Sequence, residues 1–210
     1  MKTRFLSALF FTALFSAGAA VNGTLIAQIE YVPQDSSRLW IAGQSNVNQF
    51  ECESREHRGE AIIFQTTTIT GDTVTVDEDA TKIMLEIDVE GIECGRSRMN
   101  RDLRNALKAD DYPNITFVFN DIVSVSNGTS DPNSVRLEVS GSLTVAGVTR
   151  EVNVHLTGYT FDDNRVRATG SKEIRMTDFG VEPPTAMLGL VKADNELTVH
   201  FDLIAARKAD

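Results

Sequence analysis

Residues Val135–Val145, VRLEVSGSLTV, alternate apolar and polar side chains along their length. Valine and leucine occupy one phase, whereas arginine, glutamate, serine and threonine occupy the other, as expected for a strand with one buried and one solvated face. Gly147 then turns the chain, and a second alternating run carries Val152, Val154 and Leu156 on its apolar phase. The two runs predict an antiparallel hairpin.

The same alternation recurs in other parts of the chain. The clearest further runs are Lys82–Val89, Ile115–Val125, Arg165–Met176 and Leu197–Leu203. With shorter runs they predict about eight to ten strands joined mostly by short turns, and therefore an all-β fold. Such a sheet either forms a sandwich or closes into a barrel, and closure at about eight strands leaves an interior that can hold one apolar ligand.

One segment, Ile92–Pro113, breaks the β pattern. Its apolar side chains recur at helical spacing: Met99, Leu103 and Leu107. Cations occupy the opposite face: Arg101, Arg104 and Lys108. The pattern predicts an amphipathic helix. A lone helix of this kind can cover one end of a barrel, so we predict an antiparallel barrel of about eight strands with one inserted amphipathic helix, and a sandwich is the alternative.

The N-terminus has the pattern of a secretory signal peptide. Two cations precede an apolar run, Phe5–Phe15, which ends in the small residues Ser16–Ala19. We predict that residues 1–19 are cleaved and that the protein is periplasmic or secreted. The alternative, a retained membrane anchor, would need about 20 apolar residues, and Asn22 interrupts the run before that length is reached.

Residues 20–36 have the composition of a short linker-like lead, because Pro33, Asp35 and Ser36 are breakers of regular structure. The remaining residues, 37–208, are predicted to form one barrel domain. The chain holds 30 acidic and 20 basic residues, for a net charge of −10. Nucleic acid is therefore excluded as a partner, because phosphate binding needs a larger basic surface than one helix face.

The two cysteines, Cys52 and Cys94, allow one pairing, and an oxidising compartment favours it. A bridge between them closes a loop of about 43 residues and contributes on the order of 4 kcal/mol in the chain-entropy model. The alternative is two buried free thiols. A metal site is disfavoured, since no Cys-x-x-Cys or nearby histidine accompanies either residue.

The sequence shows no constellation for catalysis. The histidines are His57, His155 and His200, and the last two lie on the polar phase of their strands. No Gly-x-Ser-x-Gly motif is present, and bridged cysteines leave no thiolate nucleophile. We therefore predict a protein that is not an enzyme and has neither a metal ion nor a cofactor.

Several stretches carry a more specific pattern, in this order: Ser45–Cys52, Cys94–Gly95, Leu107–Ile115, Gly141–Arg150, Met176–Val181 and Pro183–Gly189. Together they resemble the signatures of the YceI-like family, over roughly Ser37 to Ala206. The resemblance implies an exported, lipocalin-like antiparallel barrel whose elongated apolar cavity holds a polyisoprenoid or a similar long-chain lipid. The two cysteines resemble those of a bridged subgroup of that family.

On this basis we predict the residues that contact the ligand: Leu85, Ile87, Met99, Leu103, Phe117, Phe119, Leu137, Leu143, Val154, Met176, Met187 and Phe201. Arg101 and Arg104 are the predicted contacts for a charged head group. For each apolar residue the alternative is an ordinary packed core, and for the two arginines it is a solvated helix face.

Two functional hypotheses follow. The first is a carrier that binds or sequesters an isoprenoid or quinone-like lipid, as a monomer or homodimer with transient membrane contact. The second is a barrel with a filled core that binds a protein partner and no lipid. A continuous cavity would support the first, whereas side chains meeting at core density would support the second.

Overall fold

The computed structural model describes residues 24–68, 74–127, 131, 134–162 and 164–208. Side chains are described for residues 27–64, 80–126, 131, 134–161, 164–185 and 188–208. The predicted signal peptide, residues 1–19, lies outside the described residues.

The described part of the chain is mostly strand, with one α-helix, α1 (Ser97–Leu107), and two single 3-10 turns (Met176–Phe179 and Met187–Gly189). The strands are β1 (Thr24–Pro33), β2 (Arg38–Ser45), β3 (Gln49–Ser54), β4 (His57–Thr68), β5 (Val74–Asp88), β6 (Ile92–Glu93), β7 (Asn114–Asn127), β8 (Ser134–Val145), β9 (Val148–Asp162), β10 (Arg165–Arg175), β11 (Thr185–Ala186) and β12 (Val191–Arg207).

The sheet closes into an 8-stranded antiparallel barrel, which confirms the predicted fold. Its order is β1-β4-β5-β7-β8-β9-β10-β12, and β1 pairs with β12 to complete the ring. β2 follows β1 in the chain and pairs with the same edge of β12. β3 pairs with β2, and β6 pairs with β3. Closure leaves no free edge around the ring of strands, so every barrel strand has two hydrogen-bonded neighbours.

The linker-like lead predicted for residues 20–36 is wrong over Thr24–Pro33, because this stretch forms β1. The strand pairs with β4 from Thr24 opposite Thr68 to Tyr31 opposite Ala61. Its side chains Ile29 and Tyr31 are buried in the barrel wall. Pro33 ends the strand, where a missing N–H is tolerated, so the residues interpreted as breakers only separate β1 from β2. The barrel therefore begins at Thr24.

Helix α1 lies over one end of the barrel, as its amphipathic pattern predicts. Leu107 packs there in an apolar cluster with Cys52, Val145, Met176 and other buried residues. A second cluster, around Phe119, Val139 and Val154, lies further along the barrel. We call the end covered by α1 the helix end, and the opposite end the distal end.

The outer face carries a close ion pair between β10 and β12. The Arg167 guanidinium donates from Nε and Nη2 to the two carboxylate oxygens of Asp202, at 2.7 and 2.6 Å. This bidentate contact holds the pKa of the Asp202 carboxyl below its ordinary value. Nearby, the rings of Trp40 and His200 stack with their centroids 5.0 Å apart. These contacts tie β2, β10 and β12 together on the solvent side.

Replacing Asp202 with asparagine should lower stability by about 1 kcal/mol or less at pH 7, because both partners are partly solvated. The pKa of Asp202 is lowered in the fold. The pair therefore stabilises above the unfolded carboxyl pKa of about 3.9, and this contribution disappears as the pH falls through the folded value. Urea unfolding from pH 7 to pH 3 should show the free energies of unfolding of wild type and Asp202→Asn converging in acid.

Asp178→Asn, at an exposed position, is the control and should show no such convergence. A constant difference between wild type and Asp202→Asn at all pH values would contradict the assignment.

Candidate functional site

The predicted apolar contacts on the barrel strands share one face, the inward one: Leu85 and Ile87 on β5, Phe117 and Phe119 on β7, Leu137 and Leu143 on β8, Val154 on β9, and Phe201 on β12. The register aligns Leu85 with Phe117, and Phe117 with Leu143, across three neighbouring strands. The alternate residues face solvent: Met84 and Val118 are 41% and 42% exposed. The sequence pattern therefore assigned the inward phase of these strands correctly.

Several inward side chains keep part of their solvent-accessible surface. Leu85, Phe117, Leu137 and Phe201 point inwards and yet remain only half-buried. In a close-packed core, large apolar side chains lose nearly all their solvent-accessible surface. These side chains keep some accessible surface, and three of them, Phe117, Leu137 and Phe201, also pack against the buried cluster around Phe119.

Small residues widen the interior on the side of β9, β10 and β12. Gly158 lies opposite Ala168, which lies opposite Leu203, and Ala205 lies opposite Val166. These positions are inward and half-buried, like the larger residues around them. Gly158, Ala168 and Ala205 take up less of the interior than the leucine and phenylalanine side chains of the other strands.

Two aromatic rings cover neighbouring glycines. The Phe117 ring lies over Gly141 so closely that a methyl group added to the glycine would collide with it. A methyl group on Gly170 would lie 2.6 Å from Cζ of Phe201. Each ring therefore lies along the wall over the adjacent strand instead of reaching across the barrel. Glycine at these positions keeps the rings out of the central space.

The helix end is fixed by the predicted disulfide bond. Cys52 on β3 and Cys94 are joined, and neither cysteine is free. Cys94 lies just before α1, where Asn100 accepts a hydrogen bond from its backbone N–H at 2.8 Å. Asn100 also hydrogen-bonds the Glu93 carboxylate, and this contact, with the Gly95 N–H, lowers the pKa of Glu93. The bridge and this network hold the start of the helix against the barrel, and the bond indicates an oxidising compartment.

An apolar pocket of about 230 Å³ lies between α1 and the barrel wall. Three of the predicted contacts line it: Met99, Leu103 and Met176. Its floor includes inward residues of the barrel, among them Ile41 and Leu197, and its rim carries Arg96 and Arg98. The volume is below the roughly 300 Å³ of typical ligand pockets, so this pocket does not enclose a long lipid by itself.

The two predicted head-group residues lie away from this pocket. Arg104 donates from Nη2 to the backbone oxygen of Glu90 at 2.6 Å, and its Nη1 lies 3.1 Å from the Glu90 carboxylate. That side chain fastens the helix to the turn after β5. Arg101 is exposed and does not line the pocket. Arg96 and Arg98, which precede them in the same basic segment, are the cations beside the opening.

Sequence reasoning missed a cation on the inward face, Lys172 of β10. It lies opposite Val199, and on the same face of β10 its neighbours are Gly170 and Ile174. The register continues from Val199 to Ile41 and from Ile41 to Cys52, which places Lys172 just below the helix-end pocket. It is half-buried, and no acid of the described residues forms an ion pair with it. The alternation of Val166, Ala168, Gly170 and Ile174 was the signal that could have revealed it.

Other parts of the surface fit an apolar ligand poorly. The larger concavity, about 640 Å³, lies on the outer side of β2, β3 and β12. Its charged lining residues are acidic: Glu51, Glu173, Asp194 and Glu196. No three histidine, cysteine or acidic side chains cluster as a metal site within the described residues. In the same part of the chain, no helix has the length and apolar character needed to cross a membrane. The side chain of Met187, the remaining predicted contact, lies outside the described residues.

The closed barrel, its covering helix and its motif order agree with a match over residues 42–205 to the YceI-like domain. The chain belongs to the YceI-like family. No curated protein matches this YceI-like chain significantly. The predicted membership in a family of lipocalin-like barrels is thereby confirmed, together with the disulfide bond.

Solved structures share the fold at low sequence identity. BcnA of Burkholderia cenocepacia is 20% identical, over 80% of this chain and 95% of its own, with a TM-score of 0.57. A polyisoprenoid-binding domain of Saccharophagus degradans, implicated in plant cell wall breakdown, is 14% identical over 85% and 98% of the two chains, with a TM-score of 0.63. The YceI protein of Campylobacter jejuni is 17% identical over 75% and 85%, with a TM-score of 0.50.

Replacing Cys52 with serine should lower the free energy of unfolding by up to a few kcal/mol, because the open chain gains conformational entropy when unfolded. Amides of α1 should also exchange faster with solvent, since the helix loses its covalent tether. Thermal unfolding and hydrogen exchange measure the two effects.

Cys94→Ser is the matched control and should give the same change, because either substitution removes the same bond. Reductant should bring wild type to the melting temperature of the variants and leave theirs unchanged. Equal melting temperatures for Cys52→Ser and oxidised wild type would contradict a stabilising bridge.

Proposed function

We propose that this YceI-like protein is an exported, non-enzymatic carrier that binds one long-chain apolar lipid, of the polyisoprenoid or prenylquinone class, in the barrel interior. The observation that carries the proposal is the set of inward apolar side chains that keep part of their accessible surface, together with the small inward residues Gly158, Ala168 and Ala205. The polyisoprenoid-binding domain of Saccharophagus degradans, which has the same fold, supports the ligand class.

The energetics suit such a ligand. Each buried carbon contributes about 0.8 kcal/mol, so about twenty isoprenoid carbons contribute roughly 16 kcal/mol before the costs of ordering and lost motion. Few polar contacts are then needed, which fits an interior built mainly of Leu, Val, Ile, Phe, Ala and Gly. The length and width of the interior would set the selectivity.

The location follows from two features. The disulfide bond indicates an oxidising compartment. The N-terminal pattern of two cations, an apolar run and small residues is that of a secretory signal peptide. We infer a periplasmic or secreted protein that takes up its lipid outside the cytoplasm.

The polar groups suggest how the lipid is oriented. Lys172 is a half-buried cation on the inward face, and it lies toward the helix end, whereas small and apolar residues line one side of the distal half. A head-group oxygen, from either a quinone carbonyl or a prenyl phosphate, would accept a hydrogen bond from the lysine ammonium, with the chain extending toward the distal end. Such a contact would offset the cost of partly burying the lysine charge.

Native mass spectrometry of the protein purified from its exported location, with extraction of the bound lipid, tests the carrier directly. We expect one long-chain isoprenoid or quinone per chain. Ala168→Trp should reduce occupancy at least about tenfold, because an indole on the inward wall narrows the interior. Val118→Trp, on the solvent face, is the control and should retain the lipid.

Both variants must melt cooperatively for the comparison to count. If Ala168→Trp does not fold, Ala205→Leu narrows the same wall with less added volume. A clean apo mass for wild type that persists after incubation with polyprenyl lipids would overturn the carrier and favour a filled-core barrel that binds a protein partner.

Replacing Lys172 with methionine removes the inward charge and keeps a long apolar side chain. Affinity for a prenylquinone or prenyl phosphate should fall about tenfold, while affinity for squalene, which has no head group, should stay the same or rise. Lys82→Met, at an exposed position on the outer face of β5, is the control. Titration of delipidated protein with each probe measures the effect. Equal affinities of Lys172→Met and wild type for all probes would contradict a head-group role.

A further inference from the structure

Three large apolar side chains project together at the helix end. Val47, Leu188 and Leu190 are 64%, 106% and 72% exposed. The turn that carries Val47 is hydrogen-bonded to the segment that carries the two leucines, since Asn46 donates from Nδ2 to the Leu190 oxygen at 2.8 Å. We call Val47, Leu188 and Leu190 the apolar tip.

The apolar tip is held in place by its backbone. Ser45 Oγ accepts hydrogen bonds from the N–H groups of Val47 and Asn48, which fixes the turn. Lys192 donates its N–H to Oδ1 of Asn46 at 3.0 Å, which fixes the second segment against the first. Leu188 has a left-handed backbone, with φ of 57°, a conformation that disfavours leucine. Exposed apolar side chains grouped in this way are typical of an interaction surface.

The apolar tip adjoins the pocket beneath α1. Ser45 and Asn48, which flank Val47, line that pocket, as does Val191, which follows Leu190. Arg96 and Arg98 line the same opening from the helix side. Apolar side chains, the two arginines and one acid, Asp102, thus surround the helix-end pocket, in a chain whose net charge is −10.

The nearby acids favour one orientation. Arg98 lies 3.7 Å from Asp102 in an exposed pair, and Arg96 forms no ion pair within the described residues. The acidic concavity of Glu51, Glu173, Asp194 and Glu196 lies on the outer wall of the barrel, and Gln44 and Gln49, on either side of the turn that carries Val47, also line it. An anionic surface would repel that wall and attract the arginines, so the barrel would approach it end-on.

We propose that the apolar tip docks the protein on an anionic lipid bilayer, with Val47, Leu188 and Leu190 inserted among the acyl chains and Arg96 and Arg98 against the phosphates. Apolar insertion combined with cationic attraction is how peripheral proteins bind such membranes. The docked protein presents its helix-end pocket to the bilayer, so that a lipid passes between α1 and residues 184–191. The docking stands independently, whereas the passage of lipid rests on the proposed function.

Sedimentation with vesicles tests the docking. The oxidised mature protein should bind vesicles of phosphatidylcholine with phosphatidylglycerol, and bind phosphatidylcholine alone at least about tenfold more weakly. The double variant Leu188→Ser, Leu190→Ser should lose about tenfold in partitioning to the anionic vesicles, and Arg96→Gln, Arg98→Gln about as much. Val118→Ser and Arg136→Gln, exposed positions elsewhere on the barrel, are the matched controls and should bind like wild type.

Absence of wild-type binding to anionic vesicles would overturn the proposal, as would full binding by the leucine double variant. Equal binding to neutral and anionic vesicles would overturn the role of the arginines. Binding of an exported protein that requires the same leucines, without vesicle binding, would assign the apolar tip to a protein partner instead. Native mass spectrometry separates this test from the carrier test, because wild type that binds vesicles and yet never holds a lipid supports docking and contradicts the carrier.

Discussion

Closure of the sheet between β1 and β12 is the constraint on which the rest of the structure depends. The direct pairing is short, from Tyr31 opposite Arg207 to Pro33 opposite Ala205. Side chains extend it on both sides. Ser37 Oγ both donates to and accepts from the backbone of Ile204, and Lys208 contacts the Glu30 carboxylate at 2.6 Å. Without this junction, the inward faces of β1 and β12 would have no common interior to enclose.

Closure makes the two ends of the barrel unequal. The helix end is covered by α1, tethered through Cys94, and packed with the larger of the two apolar clusters. One side of the distal half carries small residues, Gly158, Ala168 and Ala205. The inward cation Lys172 and the rim arginines also lie toward the helix end. The chain-like ligand that we propose would therefore meet different chemistry at its two ends.

Much of the fold could be predicted from the sequence because burial of one face imposes a period of two. This held for β8 and β12 near their centres and for β5 from Lys82 onwards, where the inward residues alternate without interruption. It was less reliable where register shifts: β7 has irregularities between Phe119 and Asp121 and between Ile122 and Ser124. β1 was missed because its breakers, including Pro33, received more weight than the alternation of Ile29 and Tyr31 just before them.

The positions of the side chains around the helix-end pocket are harder to predict from the sequence than the fold. A helical pattern shows which residues oppose the apolar stripe, but it does not show which of them borders the loop from the other side of the barrel. Arg104 turns toward Glu90, whereas Arg96 and Arg98 meet residues 184–191 across the pocket, and that neighbour is nearly 90 positions away in the sequence. For Lys172 the situation is reversed. The alternation along β10 predicts which face of the strand Lys172 occupies, but it does not show that this face points into the barrel. The residues that would contact a head group are therefore set by which distant segments of the chain lie next to each other. The apolar lining of the interior, in contrast, follows from the alternation within each strand.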